Sequence, residues 1–236
     1  MIVNEVLTGI IAIIIAYLLG SIPVSLLAAK ARGIDLRKHG TFQVGAGNLW
    51  RTTSRKLGLT VGIFDFGKGA IMMWIASGLG LDAGEQMVIG LAAVVGHNWP
   101  IFLRFHGGRG AATSLGIVIF NPVLNDLSWW PSVIGVGAVV VLTILVRTSA
   151  VPVLIGAASL PVTTFIFNET VAVITAYLAM FLIIVIKRLT AQAIPEGIKI
   201  SRNQLILNRL LFDRDIRDRT TWIHRKPIDE LEKLDD

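Results

Sequence analysis

Two short runs carry most of the chemistry this chain offers. The first is Arg37-Lys38-His39-Gly40-Thr41-Phe42-Gln43-Val44-Gly45-Ala46-Gly47-Asn48-Leu49-Trp50-Arg51. Its glycines allow tight turns that expose successive backbone N–H groups, and the flanking cations add positive charge. That combination suits an anion, above all a phosphate. A basic loop beside a membrane span is also an ordinary topology signal. The second run supplies the support. Phe105-His106-Gly107-Gly108-Arg109-Gly110-Ala111-Ala112-Thr113-Ser114 is a Gly-Gly-basic-Gly turn that opens an apolar helix. N–H groups at a helix start attract anions, and Arg109 adds a guanidinium fork. Two such turns read as two phosphate sites or one large one.

Other polar residues fall inside apolar stretches. Asp65 and Lys68, three apart, either pair and brace a bundle or mark a functional site. Ser21, in Gly20-Ser21-Ile22-Pro23, either bonds backbone freed by the proline or faces a site. His97, in Gly96-His97-Asn98-Trp99-Pro100, either makes an interhelical hydrogen bond or faces the same site. Cysteine is absent, which excludes disulfides, thiolate metal sites and a thiol nucleophile. The four histidines lack metal-ligand spacing on any one helix face, so no metal and no cofactor is expected. No Gly-x-Ser-x-Gly elbow and no Gly-x-x-x-x-Gly-Lys-Ser/Thr loop is present.

The elements that must position these residues are membrane helices. The chain has 236 residues, of which 53% are apolar and only 16% charged; mean hydropathy is +0.68. A soluble domain carries about a quarter charged residues. The pI of 10.0 therefore points to a membrane surface and not to nucleic acid. Apolar runs long enough to cross a bilayer lie at about 3–29, 58–80, 86–105, 131–147, 149–168 and 169–187. A shorter one, about 111–124, makes a seventh. Seven Lys and Arg fall in 30–56, Arg104 and Arg109 in the next basic connection, Arg147 after the fifth crossing, and eleven in 187–236. The intervening connections hold none. Seven crossings make the charge alternate cleanly, with the N-terminus outside and the C-terminus cytoplasmic. The fold class is thus all-α, a polytopic membrane protein. Residues 1–188 form the membrane domain, with cytoplasmic basic loops at 30–57 and 104–111. Residues 189–236 form a polar cytoplasmic tail. Its apolar stripe, Leu205 to Phe212, reads as an interfacial helix or as one docked beneath the bundle.

Taken in order, these residues resemble the bacterial acyl-phosphate:glycerol-3-phosphate acyltransferase family, the PlsY type. The likeness runs through Gly20-Ser21-Ile22-Pro23, Gly33-Ile34-Asp35-Leu36-Arg37-Lys38, then Gly45, Asn48 and Arg51, and Asp65-x-x-Lys68-Gly69-Ala70. It is strongest over Gly96-His97-x-x-Pro100-x-Phe102-Leu103 and Gly107-Gly108-x-Gly110-x-Ala112-Thr113-Ser114. Against the family's first motif, Thr41 keeps a hydroxyl, Gln43 keeps an amide, and Gly47 stands where a hydroxyl is usual. Arg109 replaces the second motif's lysine. The third motif is poorly kept: Arg209-Leu210 matches its end and its histidine has no counterpart. A separate hydroxyl that the family carries after the fifth span falls on Ser149 or Thr148, with a one-residue shift of register. His224-x4-Asp229 and Pro195-Glu196-Gly197 echo a different glycerolipid acyltransferase class, but in reversed order and with too little chain between them.

The resemblance implies a bacterial inner-membrane enzyme without cofactor. It would move an acyl group from acyl phosphate to glycerol 3-phosphate and release lysophosphatidate and phosphate. Its partners would be those two substrates and membrane lipid. Such an acyl donor is already activated, so the protein needs to orient reactants and neutralise anions. On this reading Arg51 and the backbone near Gly45 hold one phosphate, and Arg109 with Gly107, Gly108 and Gly110 holds the other. Thr41 and Asn48 bond the acceptor or the carbonyl. Ser21, Gln43, Lys68, His97, Ser149 and Arg209 complete the substrate contacts. Gly47 and the incomplete third motif leave two alternatives open: a paralogue that binds without turnover, and transfer to another acceptor.

Overall fold

The computed structural model describes residues 2–190 and 200–223. All regular structure among them is helical. Helices α1 (Ile2–Ser21) and α2 (Val24–Lys30) share the first apolar run, and α3 (Ala46–Thr52) lies in the first basic loop. Then come α4 (Arg55–Gly78), α5 (Ala83–Asn98), α6 (Ala111–Asn125), α7 (Trp130–Val146), α8 (Ala150–Ile166) and α9 (Val171–Leu189). In the tail are α10 (Arg202–Phe212) and the short α11 (Arg219–Ile223). Fragments 194–197 and 224–229 lie outside the described residues.

Four stretches are long and apolar enough to cross a membrane: Val6–Lys30, Arg55–Gly78, Ala83–Leu103 and Val171–Leu189. Helices α6, α7 and α8 are apolar but shorter. Local sequence explains the boundaries. Asp82 and Glu85 form a reciprocal capping box, so α5 begins at Ala83, earlier than the apolar run suggests. Trp99-Pro100 ends it, and a 3₁₀ turn (Ile101–Leu103) follows. The 3–29 run is not one helix, because it breaks at Ile22-Pro23. Ser54, Thr170 and Ser201 cap α4, α9 and α10 through their side chains.

Small residues set the helix spacing, as expected where lipid supplies no hydrophobic drive between helices. A Cβ on Gly20 would lie 2.2 Å from the Ala93 carbonyl oxygen, and one on Gly96 would lie 2.1 Å from that of Tyr17. These two glycines lock α1 to α5. Gly69 against Thr113 and Gly116 against Phe66, at 2.2 and 2.3 Å, lock α4 to α6 in the same way. The second pair fixes where α6, and therefore Arg109, sits. Met73, Met87, Val94, Ile117, Tyr177 and Met180 fill the space between α4, α5, α6 and α9. Gly96→Val should separate α1 from α5 and lower the thermal midpoint in detergent, since overpacking typically costs about 1–3 kcal/mol. Heating followed by size-exclusion chromatography measures it, and an unchanged midpoint contradicts the tight crossing.

The tail is docked. Arg188 at the end of α9 donates to the Leu210 carbonyl at 2.7 Å, and Arg209 of α10 donates to the Leu189 carbonyl at 2.7 Å. Ile206, Leu207 and Leu211 remain exposed on the other side of α10. Polar groups thus tie α10 to the bundle, as the docked reading expects, and an apolar face is left outward.

Candidate functional site

The first basic loop is organised by Asn48, which is 2% exposed. Its amide donates to the carbonyls of Leu36, His39 and Gln43 at 3.0–3.2 Å, and its Oδ1 accepts from the Thr41 N–H at 3.0 Å. Gly40 lies in the left-handed region (φ 63), and a Cβ there would sit 2.4 Å from the Asn48 Oδ1. Asn48 thus folds the loop onto α3 and has its amide saturated by backbone. That loop wrapping leaves Arg51, one turn further along α3, to project from the assembly.

The second basic loop is pinned to the end of α5. The Gly107 N–H donates to the Asn98 carbonyl at 3.2 Å, and the Gly108 N–H to the His97 carbonyl at 3.0 Å. A Cβ on Gly108 would lie 2.1 Å from the His97 Nε2, so the glycines allow the loop to press onto that imidazole. The Gly107 and Gly108 N–H groups are therefore spent on protein carbonyls. His97 in turn has Nδ1 3.4 Å from Asp65 Oδ1, and Lys68 Nζ lies 2.9 Å from the same oxygen. Lys68 also donates to the Gly20 and Ile22 carbonyls at 3.2 and 2.8 Å, where α1 breaks. Ser21 Oγ donates to the Tyr17 carbonyl at 2.8 Å. Ser21, Lys68, His97, Gly107 and Gly108 thus share one small internal polar cavity. It braces the kink in the first apolar run and supports the loop that carries Arg109.

The cations gather elsewhere. Among the described residues, a cavity of about 180 Å³ is lined by Arg51, Arg109, Arg188, Arg214 and Arg219, with the single carboxylate Asp213. Gln43, Thr148 and Ser149 also reach it. Asp213 sits in the left-handed region (φ 55) just after α10. Its carboxylate pairs with the Arg109 guanidinium and lies 3.7 Å from Arg188 Nε. The Arg188 Nη2 donates to the Ala150 carbonyl at 2.7 Å. The Arg51 guanidinium lies 6.0 Å from the Trp222 ring centroid, within cation–π range. Burial first, then the Arg188 charge, holds the Arg109 guanidinium below its usual range, with Asp215 opposing and Arg209 adding to the effect. Burial and then Arg219 do the same to Arg51. Five guanidiniums around one carboxylate leave a net positive cavity that an incoming anion relieves.

Below it, an apolar groove of about 270 Å³ runs between α6, α7, α8 and α9. Ala111, Val153 and Ile184 line both spaces. Cations at one end and a greasy slot at the other suit an amphiphile with an anionic head.

Of the residues singled out in the sequence, the cavity brings together Gln43, Arg51, Arg109 and Ser149. Thr41, Gly45 and Asn48 are not among its lining residues, and Gly110 (φ 70) starts α6 beside it. Arg209 pairs with Asp215 at 2.8 Å in the tail. Sequence reasoning missed Arg188, Asp213, Arg214, Arg219 and Trp222. The one available signal was the Lys187-Arg188 pair closing an apolar run.

Fold and site together define a polytopic helical membrane protein with a cationic cavity that adjoins an apolar groove. A family model described as Glycerol-3-phosphate acyltransferase matches residues 10–194, and the chain belongs to that family. Glycerol-3-phosphate acyltransferase 5 of Dehalococcoides mccartyi is 40% identical over 227 residues, covering 93% of this chain and 94% of that one. A Thermus thermophilus glycerol-3-phosphate acyltransferase is 41% identical over 128 residues, 54% of this chain and 63% of that one. Among solved structures, PlsY (YgiH), an integral membrane glycerol 3-phosphate acyltransferase in its glycerol 3-phosphate form, superposes with a TM-score of 0.71 at 30% identity. It covers 97% of this chain and 100% of that one. Its lysophosphatidic acid form gives 0.69 at 27% identity, covering 92% of this chain and 100% of that one.

Proposed function

We propose that this chain is an acyl-phosphate-dependent glycerol-3-phosphate 1-O-acyltransferase of the bacterial inner membrane. The observation that carries this reading is the five-arginine cavity continuous with an apolar groove. Phosphate groups of donor and acceptor belong in the cavity, and the acyl chain belongs in the groove. In the seven-span arrangement, α1 with α2 forms the first crossing and α4 to α9 form the rest. The alternation of Lys and Arg supports an outside N-terminus and a cytoplasmic site. The tail, which the sequence sets apart at residue 189, then works as the cytoplasmic wall of the site.

The chemistry asks little of the protein beyond orientation and charge. The acceptor's 1-hydroxyl oxygen bonds to the carbonyl carbon, the carbonyl electron pair moves onto oxygen, and it returns as the bond to phosphate breaks. The hydroxyl proton leaves on the phosphate. Arg109 and Arg188 neutralise the departing phosphate, and Arg51, Arg214 and Arg219 hold the acceptor phosphate. Orienting two bound reactants supplies roughly 7–11 kcal/mol of such a barrier.

The test supplies purified protein in lipid with palmitoyl phosphate and labelled glycerol 3-phosphate. Lysophosphatidate and phosphate should form in equal amounts. Phosphate release without lysophosphatidate points to hydrolysis or another acceptor. Binding of both substrates without any product identifies a non-catalytic paralogue.

A further inference from the structure

Ser114 lies on the first turn of α6, one residue past Thr113, and lines the apolar groove. It is 5% exposed, and its hydroxyl has no hydrogen-bond partner among the described residues. Thr113 beside it and Thr143 on α7 are also unpartnered among these residues, but neither lines the groove. Helical Ser and Thr side chains ordinarily give their proton to the carbonyl four residues back. Ser21, Thr163, Thr164 and Thr175 all do so here, at 2.7–2.8 Å. At Ser114 the Gly110 carbonyl instead takes only the backbone N–H, at 2.8 Å. A buried hydroxyl left without a partner is destabilising. An alanine would fill the position without that penalty.

Its place gives the unused donor a task. Ser114 sits about one helical turn, roughly 5 Å, below Gly110, and Gly110 follows Arg109 directly. Ala111, on the same turn, lines both the cationic cavity and the groove. In an acyl phosphate, the carbonyl is joined to phosphorus through a single bridging oxygen. A donor phosphate held by Arg109 and Arg188 with its chain in the groove therefore puts its carbonyl near the boundary marked by Ala111, whose i+3 neighbour on the groove side of α6 is Ser114.

We propose that the Ser114 hydroxyl donates a hydrogen bond to the acyl carbonyl oxygen and stabilises the negative charge that grows there as the acceptor attacks. This rests on the acyl-phosphate reading above. The bond strengthens as electron density moves onto the oxygen and weakens when the carbonyl re-forms and phosphate departs. Such a contact acts on kcat more than on substrate binding.

The test combines kinetics with a readout that needs no turnover. Ser114→Ala should lower kcat by about 10²-fold, leave KM for palmitoyl phosphate within about threefold, and leave the thermal midpoint unchanged or higher. Ser114→Cys, which keeps the shape but is a weak donor, should fall close to alanine. Infrared spectra of bound palmitoyl phosphonate with a ¹³C carbonyl should show a lower stretching frequency in the wild type than in Ser114→Ala. Wild-type kcat in the alanine variant overturns the proposal, as does a kcat loss with no frequency difference or a loss confined to KM. If the wild type makes no lysophosphatidate, the functional reading fails, while the frequency comparison still decides the hydrogen bond.

Discussion

Arg109→Ala lowers kcat/KM for acyl transfer by about 10²–10³-fold, and the protein remains monodisperse with a midpoint no lower than wild type. The two halves of that expectation share one cause. Arg109 is packed among Arg188 and Arg209, and burial and cationic neighbours press on its charge. Its pairing with Asp213 offsets part of this penalty, and Arg188 stands 3.7 Å away to keep that carboxylate company. Removing Arg109 therefore relieves repulsion in the empty cavity and removes attraction in the filled one. Functional sites often hold stability down in this manner. Arg109→Lys should retain more activity than alanine but fall about tenfold below wild type, because a point charge does not reproduce the guanidinium fork. Steady-state kinetics in nanodiscs, with thermal unfolding on the same samples, measures both. Aggregation in step with lost activity would make Arg109 a structural residue, and full activity in alanine would remove it from the site.

The apolar helices were legible because their runs are continuous and their ends carry caps and prolines. The expected spans agree with α4 and α6 to α9 within about three residues. Pro23 announced the break in the first run, but nothing in the apolar count pointed to the helix α3 inside a polar loop. Arg51 and Arg109 were legible because glycine-rich basic turns announce themselves locally. Asn48, Ser21 and Lys68 were visible as polar residues, yet polarity says nothing of partners. Each hydrogen-bonds to backbone carbonyls supplied by loops and helix ends. The missed residues share a different origin. Arg109 and Asp213 stand 104 positions apart, and nothing local to either predicts that the tail folds back across α8 and α9. Arg188 closes an apolar helix and reads as an interface anchor. Only the docked α10 turns it into a wall of the site.

Arg188→Ala is expected to do two things at once: lower kcat/KM by about 10³-fold and loosen the tail. Arg188 donates to Leu210 in α10 and to Ala150 at the start of α8, and it lies beside Asp213. These acceptors diverge, so one planar fork joins α9, α8 and α10 while adding its charge to the cavity. Without it, α10 keeps the bond from Arg209 to the Leu189 carbonyl and the Asp213 pairing, and limited proteolysis should cut within 200–223 faster than in wild type. Arg188→Lys keeps the charge but cannot reach three partners, so it should recover part of the activity and little of the protection. A variant truncated after residue 200 separates the two effects. It already lacks α10 and α11, with Arg214, Arg219 and Trp222, so adding Arg188→Ala should cost it far less than the same change costs the full chain. Neighbouring groups that act through one contact are non-additive in this way. Equal losses in both backgrounds would mean that Arg188 acts on the substrate independently of the tail.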